Sequence, residues 1–172
     1  YARSVQKYDS NGKIAYRAQY ASKTDKTPMF EANYANGSIN SDITRSGSKT
    51  TLRIYTSMTV PIGGSSLQLP FVTTAYYVDG SNVEIEQFIY DTEGYMTKST
   101  RTNFATKAVL SVKTYKRDPG NYVALVEKTE YENSARNAKI SVTTYGAAHA
   151  GLYNSDTMGA DSRIPSLVKK YD

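Results

Sequence analysis

The chain contains no cysteine, no tryptophan, one histidine and only four phenylalanines in 172 residues. Without cysteine, disulfide frameworks, thiolate metal sites and cysteine nucleophiles are excluded, while the redox compartment stays open. His149, in Ala147-Ala148-His149-Ala150-Gly151, cannot by itself build a multi-histidine metal site or a catalytic triad, and reads as an exposed loop residue. No apolar run approaches the roughly 18 residues of a spanning helix, and no signal-peptide apolar region is present. No phosphate-binding glycine loop occurs: Gly63-Gly64 follows Ile62, leads into no Gly-Lys-Ser/Thr, and reads as a turn. The first residue is Tyr1, not methionine, so we expect a processed or trimmed product.

What the chain does have is tyrosine, sixteen of them. They recur just ahead of turns: Tyr8-Asp-Ser-Asn-Gly12, Tyr34-Ala-Asn-Gly37, Tyr77-Val-Asp-Gly80, Tyr90-Asp-Thr-Glu-Gly94 and Tyr115-Lys-Arg-Asp-Pro-Gly120. An aromatic closes an extended run, a polar segment follows, and glycine supplies the backbone freedom of a tight reversal. The layout describes antiparallel strands joined by hairpins. Spacing between hairpins is uneven, so this is not a strict repeat array. With 39% hydrophobic residues and a mean hydropathy of −0.55, the apolar side chains are expected on one sheet face and polar ones on the other. Tyrosine suits such a face, with an apolar body and a wet tip.

Hairpins are predicted for Ser4–Tyr8 with Lys13–Tyr20, for Met29–Tyr34 with Ser38–Arg45, and for Leu67–Val78 with Val83–Tyr90. Thr50–Pro61 is the clearest strand, with Leu52, Ile54, Met58 and Val60 facing one way and Thr51, Arg53, Tyr55 and Ser57 the other. Pro70 fits an edge or a strand start. Residues 97–131 read as strand or as one or two short helices, because Phe104, Ala105, Ala108, Val109 and Val112 also form a one-sided helical stripe. We favour strand, since the tyrosine-and-turn layout runs through them. Ala138–Tyr145 reads as a strand, and Ile164–Tyr171 as a last strand or a docking segment. The expected fold is mainly β, antiparallel, of about 8–11 strands. Residues 1–145 would form the β domain, and 146–172 a loop-rich C-terminal arm packing on it or on a neighbouring subunit.

Net charge is +5, arranged in blocks. Residues 1–60 hold nine Lys/Arg and four Asp/Glu, residues 61–95 hold none and five, and residues 96–172 hold twelve and seven, giving +5, −5 and +5. Such blocks can pair between strands or between copies of the chain. Glu84 and Glu86 share a strand face and read as solvated. Asp9, Asn11, Asp91 and Glu93 sit at turns, and Asn36-Gly37-Ser38 is a turn before it is a glycosylation sequon. One constellation carries functional content. Arg45, Lys49, Arg53 and Tyr55, with Thr51, lie along one strand and the turn before it. Cationic groups neutralise phosphates and tyrosine rings stack on unpaired bases, so these five are the candidate nucleic-acid-binding residues.

Ser38 through the basic turn and long strand to Val60-Pro61, then Gly63-Gly64, Leu67-Gln-Leu-Pro70 and Thr73 to Ile85, resembles the coat proteins of single-stranded RNA bacteriophages. The resemblance covers residues 8–90 and implies an antiparallel sheet, Lys49, Thr51, Arg53 and Tyr55 on its RNA-facing side, and a dimer-locking role for Asn121–Tyr131. Tyr8-Asp9 and Tyr90-Asp91 ahead of a glycine also resemble, at those two places, the Tyr-Asp repeats of bacterial surface proteins. The expectation is a structural, self-assembling coat-type subunit contacting RNA through a basic sheet face, homo-oligomeric, in a virion or outside the cell. The alternative is a processed secreted or surface-anchored bacterial β-domain binding a ligand, glycan or protein. No enzyme, cofactor or metal role is expected.

Overall fold

A computed structural model describes residues 3–118, 121–131, 139–144 and 167–170. Among these residues every element is a strand, and every observed pairing is antiparallel. Among the described residues no helix is long and apolar enough to cross a membrane. The chain divides into two compact units, Tyr1–Gln87 with Asn103–Thr106, and Phe88–Thr102 with Lys107–Asp172.

In the first unit, β1 (Arg3–Tyr8), β2 (Ile14–Tyr20), β3 (Phe30–Ala35), β4 (Ser38–Ser46), β5 (Lys49–Ile62), β6 (Ser65–Asp79) and β7 (Asn82–Tyr90, through Gln87) pair each with the next. The three predicted hairpins are present. In the second unit, β8 (Met96–Asn103), β9 (Val109–Asp118), β10 (Asn121–Tyr131), β11 (Lys139–Thr144) and β12 (Leu167–Lys170) do likewise. The helical option over 97–131 is not taken up. Asn103 Oδ1 accepts the N–H groups of Ala105 and Thr106 at 3.0 Å each, and Lys107 adopts φ +60°, so the stripe around Phe104 is cut by a turn. Phe104 is accordingly 47% exposed. β8 has no hydrophobic alternation to announce it. Its β-branched Thr97, Thr100 and Thr102 favour extended backbone. β10, the segment to which the coat-protein resemblance gives a dimer-locking role, is a strand. Residues 146–163 of the expected C-terminal arm lie outside the described residues.

The two Tyr-Asp turns share one hydrogen-bond pattern. Asp9 Oδ1 accepts from the N–H of Asn11 and Lys13, both at 2.9 Å, and Gly12 N–H donates to the Asp9 carbonyl at 3.1 Å. Asp91 Oδ1 accepts from Glu93 and Tyr95 at 3.0 and 2.9 Å, and Gly94 N–H donates to the Asp91 carbonyl at 3.1 Å. Gly12 and Gly94 take φ +75° and +84°, where a side chain would be strained.

Register settles the faces. Asp42 opposes Arg53 and Ala75 opposes Arg53 from the other side, while Ile43 and Tyr76 flank Leu52. Leu52 and Arg53 therefore point to opposite faces, as the alternation predicts. Neither face is deeply covered. Leu52, Ile54, Ile43 and Tyr76 are only half-buried, and the buried apolar residues described are Ala18, Ala32, Val60, Ala75 and Val112. The expected division into a hidden apolar face and a wet polar face is thus corrected, because the second face holds buried Asp42 and Glu86.

Gly12→Ala isolates the backbone contribution of the turn, since an added Cβ meets nothing within 4 Å. We expect a loss of about 1 kcal/mol in urea unfolding, with Asp9→Ala costing about as much through its two lost hydrogen bonds.

Candidate functional site

Asp42 lies in the middle of β4, a place where aspartate is disfavoured. It is 3% exposed and held by two groups from the neighbouring β5. Arg53 donates from Nη1 to Oδ1 at 2.9 Å, and the Tyr55 hydroxyl donates to Oδ2 at 2.5 Å. The guanidinium side chain is 39% exposed against 4% for the carboxylate, so the pair sits at the sheet surface with its acid end inside. Burying that carboxylate costs free energy unless both oxygens are satisfied, and here both are.

The opposite face repeats the device. Glu31 of β3 receives Arg45 Nη2 at 2.6 Å and the Tyr16 hydroxyl at 3.1 Å, while Arg45 Nη1 donates to the Pro28 carbonyl at 3.0 Å. A third acid, Glu86, is 6% exposed and accepts the Tyr77 hydroxyl at 3.0 Å, which corrects its reading as a solvated strand residue.

Of the five sequence candidates, Lys49, Thr51, Arg53 and Tyr55 alternate onto one face of β5. Arg45 does not join them. It pairs with Thr50, which faces away from Arg53 on β5, and it reaches across its own face to Glu31. Strand alternation overrides the nearness in sequence. Lys49 is exposed and aligned with Asp79, which also accepts the Ser48 hydroxyl at 2.8 Å; Thr51 is half-buried opposite Tyr77. The constellation therefore contains two cations already matched by carboxylates. Sequence reasoning missed those carboxylates, Asp42 and Glu31, although an acid in mid-strand is itself a sign of a cross-strand partner.

The clamps also bear on proton affinity. Burial, then the hydrogen bond to Asp42 and its negative charge, push the Tyr55 phenol up to about 12 from the usual 10.0. Burial and the Glu31 carboxylate raise Tyr16 in the same direction. Burial alone raises Tyr90.

No protein-family profile matches the chain, and no curated protein matches it. Among solved structures it is similar to a porin-like protein from Bacteroides uniformis ATCC 8492, at 16% identity and a TM-score of 0.33. The match covers 85% of this chain and 54% of that one, so the chain spans about half its length. A likeness of that degree carries no argument about function.

Because the folded state holds Tyr55 protonated above its ordinary value, the resulting stability is complete below pH 10 and falls as pH rises toward 12. Tyr55→Phe will flatten that part of the stability–pH curve measured by denaturant unfolding. At neutral pH, Arg53→Met will cost about 2 kcal/mol by leaving Asp42 buried with one partner, and the Asp42→Asn, Arg53→Met double variant will recover part of it.

Proposed function

We propose that this chain is a structural subunit that works by associating with other copies of itself and not by catalysis. The observation that carries the reading is the outer half of the β5–β6 hairpin. Thr56–Ile62 pairs with Ser65–Phe71, and beyond this mutual ladder Thr56–Pro70 pairs with no further strand among the described residues. No charged residue occurs from Ile54 to Val78, in a chain that is 22% charged. Ile62 and Leu67 near its tip are 48% and 47% exposed. An uncharged stretch with exposed apolar side chains is the sort of surface that soluble monomers keep small and that interacting proteins use.

Coat-type assembly, in a virion or outside the cell, is one form of this reading, supported by the resemblance of residues 8–90. Contact with RNA has less behind it. Arg53 and Arg45 are matched by Asp42 and Glu31, leaving Lys49 as the exposed cation among the five candidates. The alternative, a secreted or surface-anchored bacterial β-domain that binds a ligand, glycan or protein, draws support from the matching hydrogen bonds of the two Tyr-Asp turns.

Light scattering on the purified chain tests the proposal. We expect concentration-dependent species well above the 19.0 kDa protomer. A monomer at every concentration would remove the assembly reading in favour of the surface domain. Nuclease-sensitive absorbance in the large species, lost in Arg53→Glu, would restore RNA as a partner.

A further inference from the structure

We infer that the β1–β2 hairpin is a binding surface for single-stranded nucleic acid, held through Arg3, Lys7, Lys13, Arg17 and the ring of Tyr8. Residues 1–26 hold six Lys/Arg against two acids, Asp9 and Asp25, a net of +4 in a chain whose total is +5. Both acids are engaged with backbone: Asp9 at its turn, and Asp25 through Oδ2, which accepts the Ser22 N–H at 2.8 Å. Among the described residues, none of Arg3, Lys7, Lys13 and Arg17 forms an ion pair with a carboxylate. In this they differ from Arg45 and Arg53, whose charges are matched.

Register sets two of these cations over aromatic rings. Arg3 opposes Tyr20 and Lys7 opposes Tyr16, with the Arg3 guanidinium 3.9 Å and the Lys7 ammonium 5.4 Å from the centre of the opposing ring. A ring face orders a cation without cancelling its charge, whereas a carboxylate does both. Arg3 also donates to the Asp25 carbonyl at 3.4 Å, again a neutral group. Glu31, on the same face, is taken up by Arg45 and Tyr16. Both ring-held cations are exposed. Arg17 opposes Gln6 on the other face, and its Nε is buried without a hydrogen-bond partner. The Tyr8 hydroxyl donates to Gln6 Oε1 at 3.1 Å, and Tyr8, 59% exposed, is the most exposed of the large apolar side chains described.

Unmatched positive charge selects a polyanion. The layout selects a chain over a plane. β1 ends the strand order, with Arg3 and Lys7 on one face, Arg17 on the other, and Lys13 beside the turn. A flexible strand running along this edge reaches all four, where a flat anionic membrane reaches one face. The exposed ring then selects among chains, because an unpaired base stacks on tyrosine as a sulfated sugar or a carboxylate does not. Cations that track the backbone beside a ring that takes a base are the two parts of a single-strand site.

Fluorescence anisotropy of a labelled single-stranded oligothymidylate measures binding to the full chain in whatever oligomeric state it takes, so the result stands apart from the assembly reading. We expect binding at low salt whose log affinity falls against log salt with a slope of about −3, as four phosphate contacts require. Arg3→Gln with Lys7→Gln, both exposed, will halve that slope and lower affinity at least about tenfold, with the urea midpoint unchanged. Tyr8→Leu will weaken the oligothymidylate about tenfold and leave binding of inorganic polyphosphate as before. Absence of binding at low salt would reduce the charges to protection of an edge strand and overturn the inference. An affinity indifferent to the double variant overturns it as well, as does a loss produced by Lys49→Gln instead, which returns the contact to β5. If Tyr8→Leu affects both probes alike, the surface belongs to polyanions in general and the nucleic-acid assignment falls.

Discussion

A carboxylate gripped between a guanidinium and a phenol is the interaction on which the first unit depends. Asp42 is almost fully enclosed, and its two oxygens are satisfied by Arg53 and Tyr55 alone among its described partners. Such a cluster adds little net stability over an apolar replacement, but losing one member leaves a charge without its match, which is expensive. Its main effect is on register. A slip of one residue between β4 and β5 would turn Asp42 to the face opposite Arg53 and Tyr55. In a sheet whose large apolar residues are mostly half-buried, hydrophobic burial alone distinguishes registers weakly. The Asp42 and Glu31 clusters, one on each face, supply the missing discrimination.

This arrangement explains why tyrosine is abundant where tryptophan is absent and phenylalanine is scarce. On half-buried sheet faces, a ring must shield its neighbours while its tip finds water or a partner. Tyr16, Tyr55 and Tyr77 use that tip on carboxylates of adjacent strands. Small residues lie between the large ones: Ala32, Asp42, Arg53, Ala75 and Glu86 form one row across five strands, with both alanines fully buried beneath their taller neighbours. The sheet is held by cross-strand pairs more than by a deep core.

The same economy bears on function. Two of the four arginines in the chain's first basic block are spent in internal pairs, Arg53 with Asp42 and Arg45 with Glu31, both acids belonging to that block. Net charge is therefore a poor guide to how much cationic surface faces a partner. What stands out instead is the uncharged outer half of the β5–β6 hairpin, where among the described residues Thr56–Pro70 pairs with no strand beyond the hairpin.

The strands and their connections were legible in the sequence, because turn chemistry is local. Asp9 and Asp91 bond backbone groups a few residues away, and, Lys107 apart, glycine or asparagine takes the positive φ among the described residues. β8 was hidden, since Met96–Asn103 has neither apolar alternation nor aromatic residues and is extended through its threonines and its neighbours. The alternation of Leu52 and Arg53 to opposite faces was also set by sequence, as the period of a strand demands. What only the tertiary structure decided was which charges meet. Arg45 lies eight residues from Arg53 in the chain, yet it serves the other face and a different acid. Whether a cation is available or spent depends on register between strands, and register is a property of the paired sheet that no single strand contains.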